Sequence, residues 1–594
     1  MFGTYEKFNF VRATFARSGS ADYIIEDYHR PGVLRLGGTR QGEMQSITGF
    51  LFDLKLTVNG APVKYTYFAD EGSILLENGE ATVEIAFTDR GHLRVYGENA
   101  GLTLELRGAA DGGARACRGI IALPDGSGYE GEFGKAGKRL YKALAGAVLA
   151  DSVFDNATGV CTSLKIHLLP DAATGILEAA VHEYTGAVTP FGEYEEFEDL
   201  VDNNKADFAA WRAIYQGAAK GYEDGAKYAA WTTWSHRSVV TDKLVEPVIL
   251  FQNSWLTTGA SWQQSYNAMP MLDNPREAWR QICTMFNYQD ARTGRLPGML
   301  TYAGGNTGMQ PPFQGFALDF IRRKIGDDFL TRDECARMYP KFAKWANYWT
   351  TYRSAGLGDD VTAILSPHES GWDDASCFTD GFPASDPNNL AFLVLLFESV
   401  ARLALGAGLD GDAAAWQLRA EKLTETIIDE FWNGELFVTK VKGHDVVSLT
   451  LAAYQPIILG KRLPQNIIDK VAEKLTEEGA FLTGIGLASE SMRSPTATFD
   501  VSFVNGRVAA PQNMILTVGL QAAGKQAEAD LIARRFCAHV QNEGVILGYA
   551  PYTYLPATGE TATEPVPPHV TDGWPWSSWC ANSYLTMSTQ VIGK

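Results

Sequence analysis

Long apolar runs are missing from this chain: nowhere does it approach the ~18 uninterrupted apolar residues that would suggest a membrane-spanning helix. The opening Met1-Phe2-Gly3-Thr4-Tyr5-Glu6-Lys7 has no basic segment leading into an apolar core, so no export signal is expected. Cysteine is sparse and scattered. The seven thiols, Cys117, Cys161, Cys283, Cys335, Cys377, Cys537 and Cys580, form no CxxC pair and no Cys/His ligand spacing, which argues against a disulfide framework or a zinc site. Free thiols in a reducing cytoplasm are the expectation. No HExxH, EF-hand or paired-histidine spacing occurs, so neither a metal nor another cofactor is expected. Basic residues are also in deficit, 51 Lys and Arg against 70 Asp and Glu, and the net charge of −19 disfavours nucleic acid or an anionic membrane as partner while suiting a neutral substrate. Oligomeric state is not legible.

What is present is a folded-protein composition, 45% hydrophobic and 20% charged, over 594 residues, too many for one core, so two or three domains are expected. Residues 1–190 read as antiparallel β structure: Leu54-Lys55-Leu56-Thr57-Val58 runs into the turn pair Asn59-Gly60, and Ala81 to Phe87 runs into Asp89-Arg90-Gly91. Many such strands without helical periods between them suggest an antiparallel β-sandwich. Residues 191–228 read as a linker helix region, opening with the acidic stretch Tyr194 to Asp202 and continuing to Phe208, Trp211, Ile214 and Tyr215. From 229 to 594 helical periods dominate. Leu390, Leu393, Val394, Phe397, Val400, Ala401 and Ala404 share one face, and Leu463, Ile467, Ile468, Val471 and Leu475 another. Further helices are expected near 274–289, 332–352, 411–432, 508–523, 525–541 and 577–591. Long Gly-, Pro- and Trp-rich loops at 290–313, 355–386 and 543–576 separate them, and loops of that length are usually functional or disordered. Fourteen Trp and 24 Tyr, several beside polar residues in such loops, suit a partly wet groove for a hydroxylated ligand as well as ordinary core packing.

The most informative loop is His368-Glu369-Ser370-Gly371-Trp372-Asp373-Asp374, behind Leu365-Ser366-Pro367, which biases the backbone away from a continuous helix. Three carboxylates, an imidazole and an indole fit glycosidic cleavage, where one carboxylic acid protonates the leaving oxygen, a second carboxylate activates water or attacks the anomeric carbon, and an aromatic face packs on the sugar ring. The alternative is a set of turn-forming carboxylates.

A β-rich leading region followed by paired helices and Ser370-Gly371-Trp372-Asp373 in a loop resembles the (α/α)6-barrel glycoside hydrolases, especially the trehalase and processing α-glucosidase I group. The match is best over 230–594, where Trp262 to Met271 with Asp273-Asn274-Pro275-Arg276-Glu277-Ala278-Trp279, the Gly294 to Met299 loop and Asp386-Pro387-Asn388-Asn389-Leu390 all look like family segments. The resemblance implies a mainly α fold with a β domain: an N-terminal antiparallel β-sandwich, then an (α/α)6 barrel, or six-hairpin toroid, as catalytic domain. It also implies Asp373 as general acid in an exo-acting, inverting glycosidase that cleaves an α-linked glucoside or related oligosaccharide.

Three segments depart from the family pattern. Tyr552 stands where the family has its base Glu, in Tyr552-Thr553-Tyr554-Leu555-Pro556-Ala557-Thr558-Gly559, ahead of Trp574-Pro575-Trp576-Ser577-Ser578. The Trp-x-Trp-Asp motif appears as Ala260-Ser261-Trp262-Gln263-Gln264, and Trp-Arg-Gly-Pro-x-Trp as Val504-Asn505-Gly506-Arg507-Val508-Ala509. Glu490 is then the leading substitute base, with Glu560, Glu564, Asp572 and a Tyr552 phenol as alternatives. Trp372, Glu369 and Asp374 are expected to keep Asp373 protonated through burial and like-charge repulsion. Trp234, His236, Trp262, Gln263, Gln264, His368, Glu369, Trp372, Arg507, Trp574 and Trp576 are candidate sugar contacts, and the His569 loop a candidate cover. The departed base motif leaves a second reading, a noncatalytic sugar-binding protein or a lyase-type enzyme.

Overall fold

In the computed structural model the described residues are 8–27, 30–39, 50–106, 117–134, 137–184, 193–253, 256–306, 308–498, 504–544, 553–554 and 577–593. Alternating apolar and polar residues build the leading strands. They are β1 (Asp22–Glu26), β2 (Leu34–Gly38), β3 (Phe50–Val58), β4 (Ala61–Pro62), β5 (Thr66–Ala69), β6 (Ile74–Asn78), β7 (Ala81–Phe87), β8 (Leu93–Glu98), β9 (Gly101–Leu106), β10 (Gly119–Ala122), β11 (Gly128–Glu132), β12 (Lys138–Ala145), β13 (Ala147–Asp155), β14 (Val160–Leu169) and β15 (Ile176–Tyr184). They pair antiparallel into two sheets, ordered β1-β2-β3-β9-β14-β13 with β4 beside β3, and β10-β11-β12-β15-β8-β7-β6-β5. Leu54 and Leu56 of β3, Leu102 and Leu104 of β9, Val83 and Ile85 of β7 and Val95 of β8 lie in one buried cluster fed by both sheets. Asn59 and Gly60, both at positive φ, turn β3 into β4 with Val58 opposite Ala61, as the dipeptide predicts.

Helices follow: α1 (Phe197–Arg212), α2 (Glu223–Ser235), α3 (Ser261–Ala268), α4 (Pro275–Cys283), α5 (Gln314–Ile325), α6 (Arg332–Tyr352), α7 (Pro387–Ala407), α8 (Asp410–Thr426), α9 (Gln465–Thr476), α10 (Ala510–Ala522), α11 (Gln526–Glu543) and α12 (Ser578–Thr586), with a 3-10 segment Leu451–Arg462 before α9. Their starts are chemically marked. Asn274 caps α4 ahead of Pro275, Thr331 and Glu334 form a reciprocal capping box on α6, and Asp386 caps α7 ahead of Pro387. The helix α7 is long and apolar enough to cross a membrane by length and composition, yet it is mostly buried, with α5, α6, α8 and the 451–462 segment packed on it.

Helix packing is ordered. The helix α3 packs on α5 and α12, α5 on α7, α7 on the 451–462 segment, that segment on α10, and α10 on α12. Against these lie α2, α4, α6, α8, α9 and α11. Two of the inner elements, α5 and the 451–462 segment, were not anticipated: Gln314 to Ile321 of the first and Leu451 to Gly460 of the second are buried on every side, so neither stretch has the exposed polar face that marks a surface helix.

Candidate functional site

The loop after α6 re-enters the molecule at Pro367-His368-Glu369, a single 3-10 turn, and then reverses at Gly371, whose φ is +78°. A Cβ on Gly371 would lie 2.2 Å from the Trp262 ring, so only glycine lets this loop settle on the first turn of α3. Trp262 in turn packs edge-on to Tyr266, Phe313 and Trp579, at centroid distances of 5.3, 6.0 and 4.8 Å. Two glutamines hold the loop from other sides. Trp372 Nε1 donates to Gln455 Oε1 at 2.8 Å, and Gln512 Nε2 donates to the Gly371 carbonyl at 3.3 Å. Three inner elements thus converge on Gly371 and Trp372.

Because successive residues of a turn point in different directions, the clustered acids part company. Glu369 is buried, accepting from Arg353 Nη2 at 3.1 Å and from the Leu365 amide at 3.0 Å. Asp374 accepts from the Val504 amide at 2.7 Å. Asp373, like Asp374 only partly buried, has 41% of its side chain exposed, and its Oδ1 lies 3.2 Å from His368 Nδ1. The carboxylate raises the His368 pKa above its ordinary value, mainly by hydrogen bonding. This corrects the expected setting of Asp373. The Trp372 indole is turned into the protein, and the neighbouring acids are engaged by Arg353 and by a backbone amide rather than pressed against it.

Glu490 comes to the same loop from behind. Ser376 Oγ lies 2.9 and 2.8 Å from its two carboxylate oxygens, Ser494 Oγ donates to Oε1 at 2.6 Å, and Thr496 Oγ1 donates to it at 3.3 Å. The residue is 0% exposed, and burial pushes its pKa up. As found, it braces the loop that carries Asp373. Asp386, also buried, has one oxygen on the Asn388 amide at 3.2 Å, and desolvation pushes its pKa up to about 7.

The remaining predicted contacts are dispersed. Gln263 donates to Ser578 at the start of α12, and Gln264 exchanges hydrogen bonds with the Ile249 backbone at 2.9 and 3.3 Å, so both knit inner elements together. Trp234 packs on Phe208 and Trp231 at 5.5 and 5.1 Å. His236 is buried against Thr14, with Nε2 3.1 Å from Oγ1, and burial lowers its pKa to about 3. These two belong to the joint between the leading strands and the helices. Arg507 is buried, its carbonyl accepting from the Ser489 amide at 2.8 Å. Tyr552, Glu560, Glu564, His569, Asp572, Trp574 and Trp576 lie outside the described residues. Among the described residues no group of three or more His, Cys, Asp or Glu side chains is placed to hold a metal. Gln455, Gln512 and Ser376 were missed as site residues: their only marks in the sequence are positions near helix starts or in the loop, shared by many residues with no such role.

Residues 255–577 match the mannosylglycerate hydrolase MGH1-like glycoside hydrolase domain. A periplasmic trehalase of Pseudomonas aeruginosa is 23% identical over 339 residues, which span 47% of this chain and 60% of the trehalase. A bacterial glucoamylase solved with acarbose superposes with a TM-score of 0.60 at 10% identity, covering 99% of this chain and 94% of its own. A GH63 mannosylglycerate hydrolase from Thermus thermophilus, solved with glucose, gives a TM-score of 0.46 at 17% identity over 55% of this chain and 92% of its own.

Proposed function

The chain belongs to the mannosylglycerate hydrolase MGH1-like glycoside hydrolase family, and from that premise we propose that it cleaves an α-linked glucoside or related oligosaccharide, exo-acting and with inversion, using Asp373 as general acid. The observation that carries this reading is the setting of Asp373: its carboxylate is 41% exposed and stands 3.2 Å from His368 Nδ1, whereas Glu369 is held by Arg353 and Asp374 accepts from the Val504 amide, and its loop is gripped by Trp262, Gln455 and Gln512. In this mechanism the Asp373 carboxyl gives its proton to the glycosidic oxygen as the bond to the anomeric carbon breaks. Water adds to that carbon from the opposite face, losing its proton to a second carboxylate roughly 6.5–9.5 Å from the first. His368, at 3.2 Å, is placed to return a proton to Asp373 between turnovers. Glu490 and the segment around Tyr552 are the proposed sources of the base; for Glu490 that role requires Ser494 and Thr496 to swing away and admit water.

An (α/α)6 barrel is supported by the closed packing order α3, α5, α7, 451–462, α10, α12 and back to α3, with the other helices outside. It is also supported by the full-length superposition on the glucoamylase fold. A division at 1–190, 191–228 and 229–594 is supported by the last leading strand ending at Tyr184 and α1 beginning at Phe197, and a sandwich by the core the two sheets share. A cytoplasmic location is supported by seven free cysteines, six of them buried.

The test is Asp373→Asn assayed on a panel of α- and β-linked gluco-, galacto- and manno-oligosaccharides, with products followed by NMR. Turnover is expected to fall at least ~10³-fold with sugar binding kept, since protonation of the leaving group is lost. Unchanged turnover would sink the general-acid assignment. Burial of Glu490 and Tyr552 at the family's base position favour a second reading, a sugar-binding or lyase-type protein. An unsaturated product in the same spectra identifies the lyase, and no product identifies the binding protein.

A further inference from the structure

Gln455 and Gln512 hold more than the loop. They are 0% and 1% exposed, and each has one amide atom engaged with the Gly371-Trp372 segment and the other buried with no hydrogen-bond partner among the described residues. The partners settle which atom is which. The Trp372 Nε1–H is a donor only, so Gln455 must turn its oxygen to it, leaving Nε2 as the unengaged atom. The Gly371 carbonyl is an acceptor only, so Gln512 must turn its nitrogen to it, leaving Oε1 unengaged. The two free atoms are therefore a donor and an acceptor, both within an amide's width of the loop that presents Asp373. Buried polar atoms without partners destabilise a fold unless something else meets them.

The geometry points to Gln455 Nε2 and Gln512 Oε1 as a fixed donor and acceptor pair that reads hydroxyl groups of the sugar whose bond Asp373 protonates. A sugar hydroxyl both donates and accepts, and so satisfies either atom. Pinned amides lose little freedom on binding, which favours discrimination among hydroxyl positions. The remaining bond of each glutamine ties sugar recognition to the posture of the Asp373 loop. This inference rests on the glycosidase reading above.

The experiment uses the full chain, Gln455→Met and Gln512→Met, and monodeoxy analogues of the best glycoside found in the panel. Wild type is expected to lose about tenfold in kcat/KM at one deoxy position matched to Gln455 and at another matched to Gln512, the effect of one neutral hydrogen bond. Each variant should lose about tenfold on the full substrate and nothing further at its own matched position. Equal losses in wild type and variants at every position would overturn the inference, since amides that merely hold the loop have no preferred hydroxyl. Thermal melts check folding. Where Gln455→Met melts early, Gln455→Glu, which keeps an acceptor for Trp372, replaces it; where Gln512→Met does, the Gln455 arm decides. Absence of wild-type turnover on all glycosides would instead remove the glycosidase reading. The pair is then tested with free glucose, galactose and mannose by saturation-transfer NMR: weaker binding in the variants supports it, and equal binding, or none by wild type, overturns it.

Discussion

A carboxylate that accepts from three hydroxyls while fully buried, as Glu490 does, is suited to holding a loop in place. Its worth as a base depends on whether water reaches it, and one substitution separates the roles. Glu490→Gln keeps an acceptor for Ser376 and the size of the side chain. Acting as a brace, it should lower kcat less than ~30-fold without rescue by azide; acting as a base, it should lower kcat more than ~10³-fold, with azide restoring turnover. Steady-state kinetics with and without azide make the distinction. Asp373 is singled out in the sequence by the Ser-Gly-Trp-Asp motif, whereas the inward turn of Trp372 is not legible there: it follows from Gln455, 83 positions further on, accepting its indole proton.

At the level of elements, α7 joins stability to the site. Asp386 caps it, Pro387 supplies a preset first turn, and Gly408 at φ +82° ends it. Burial, however, raises the Asp386 pKa from its ordinary 3.8 to about 7. The folded state therefore holds this proton while the unfolded chain has lost it, so the Asp386 contribution to stability is fully present below about pH 3.8 and declines until pH passes about 7. Asn caps as well as Asp without charge. Asp386→Asn should raise Tm at pH 8 and leave it nearly unchanged at pH 4, which scanning calorimetry at the two pH values checks. The inner 451–462 segment was not legible as an element, because it is buried along most of its length and carries Pro456 within it.

Across the whole molecule, strands and helices meet where His236, at the end of α2, contacts Thr14. Burial lowers the His236 pKa from its ordinary 6.5 to about 3, so here the unfolded chain binds the extra proton. Its contribution is present above about pH 6.5 and is lost as pH falls toward about 3. His182 behaves alike: it stacks on His92 at 3.7 Å, and burial first, then the His92 charge, lowers its pKa to about 3. Melting temperature should fall as pH drops below 6.5, and His236→Gln should flatten that fall, with melts from pH 7.5 to 4.5 as the measurement.

The sequence by itself determined the order of β and α regions, the Asn59-Gly60 turn and the loop that bears Asp373, because periodicity and turn chemistry act between near neighbours. Only the tertiary structure decided that Asp373 meets His368 while Glu369 meets Arg353 and Asp374 the Val504 amide, that Glu490 lies behind the loop, and that Gln455 and Gln512 flank it. Those relations depend on how inner helices far apart in sequence come together, and on which polar atoms their packing leaves buried without a partner.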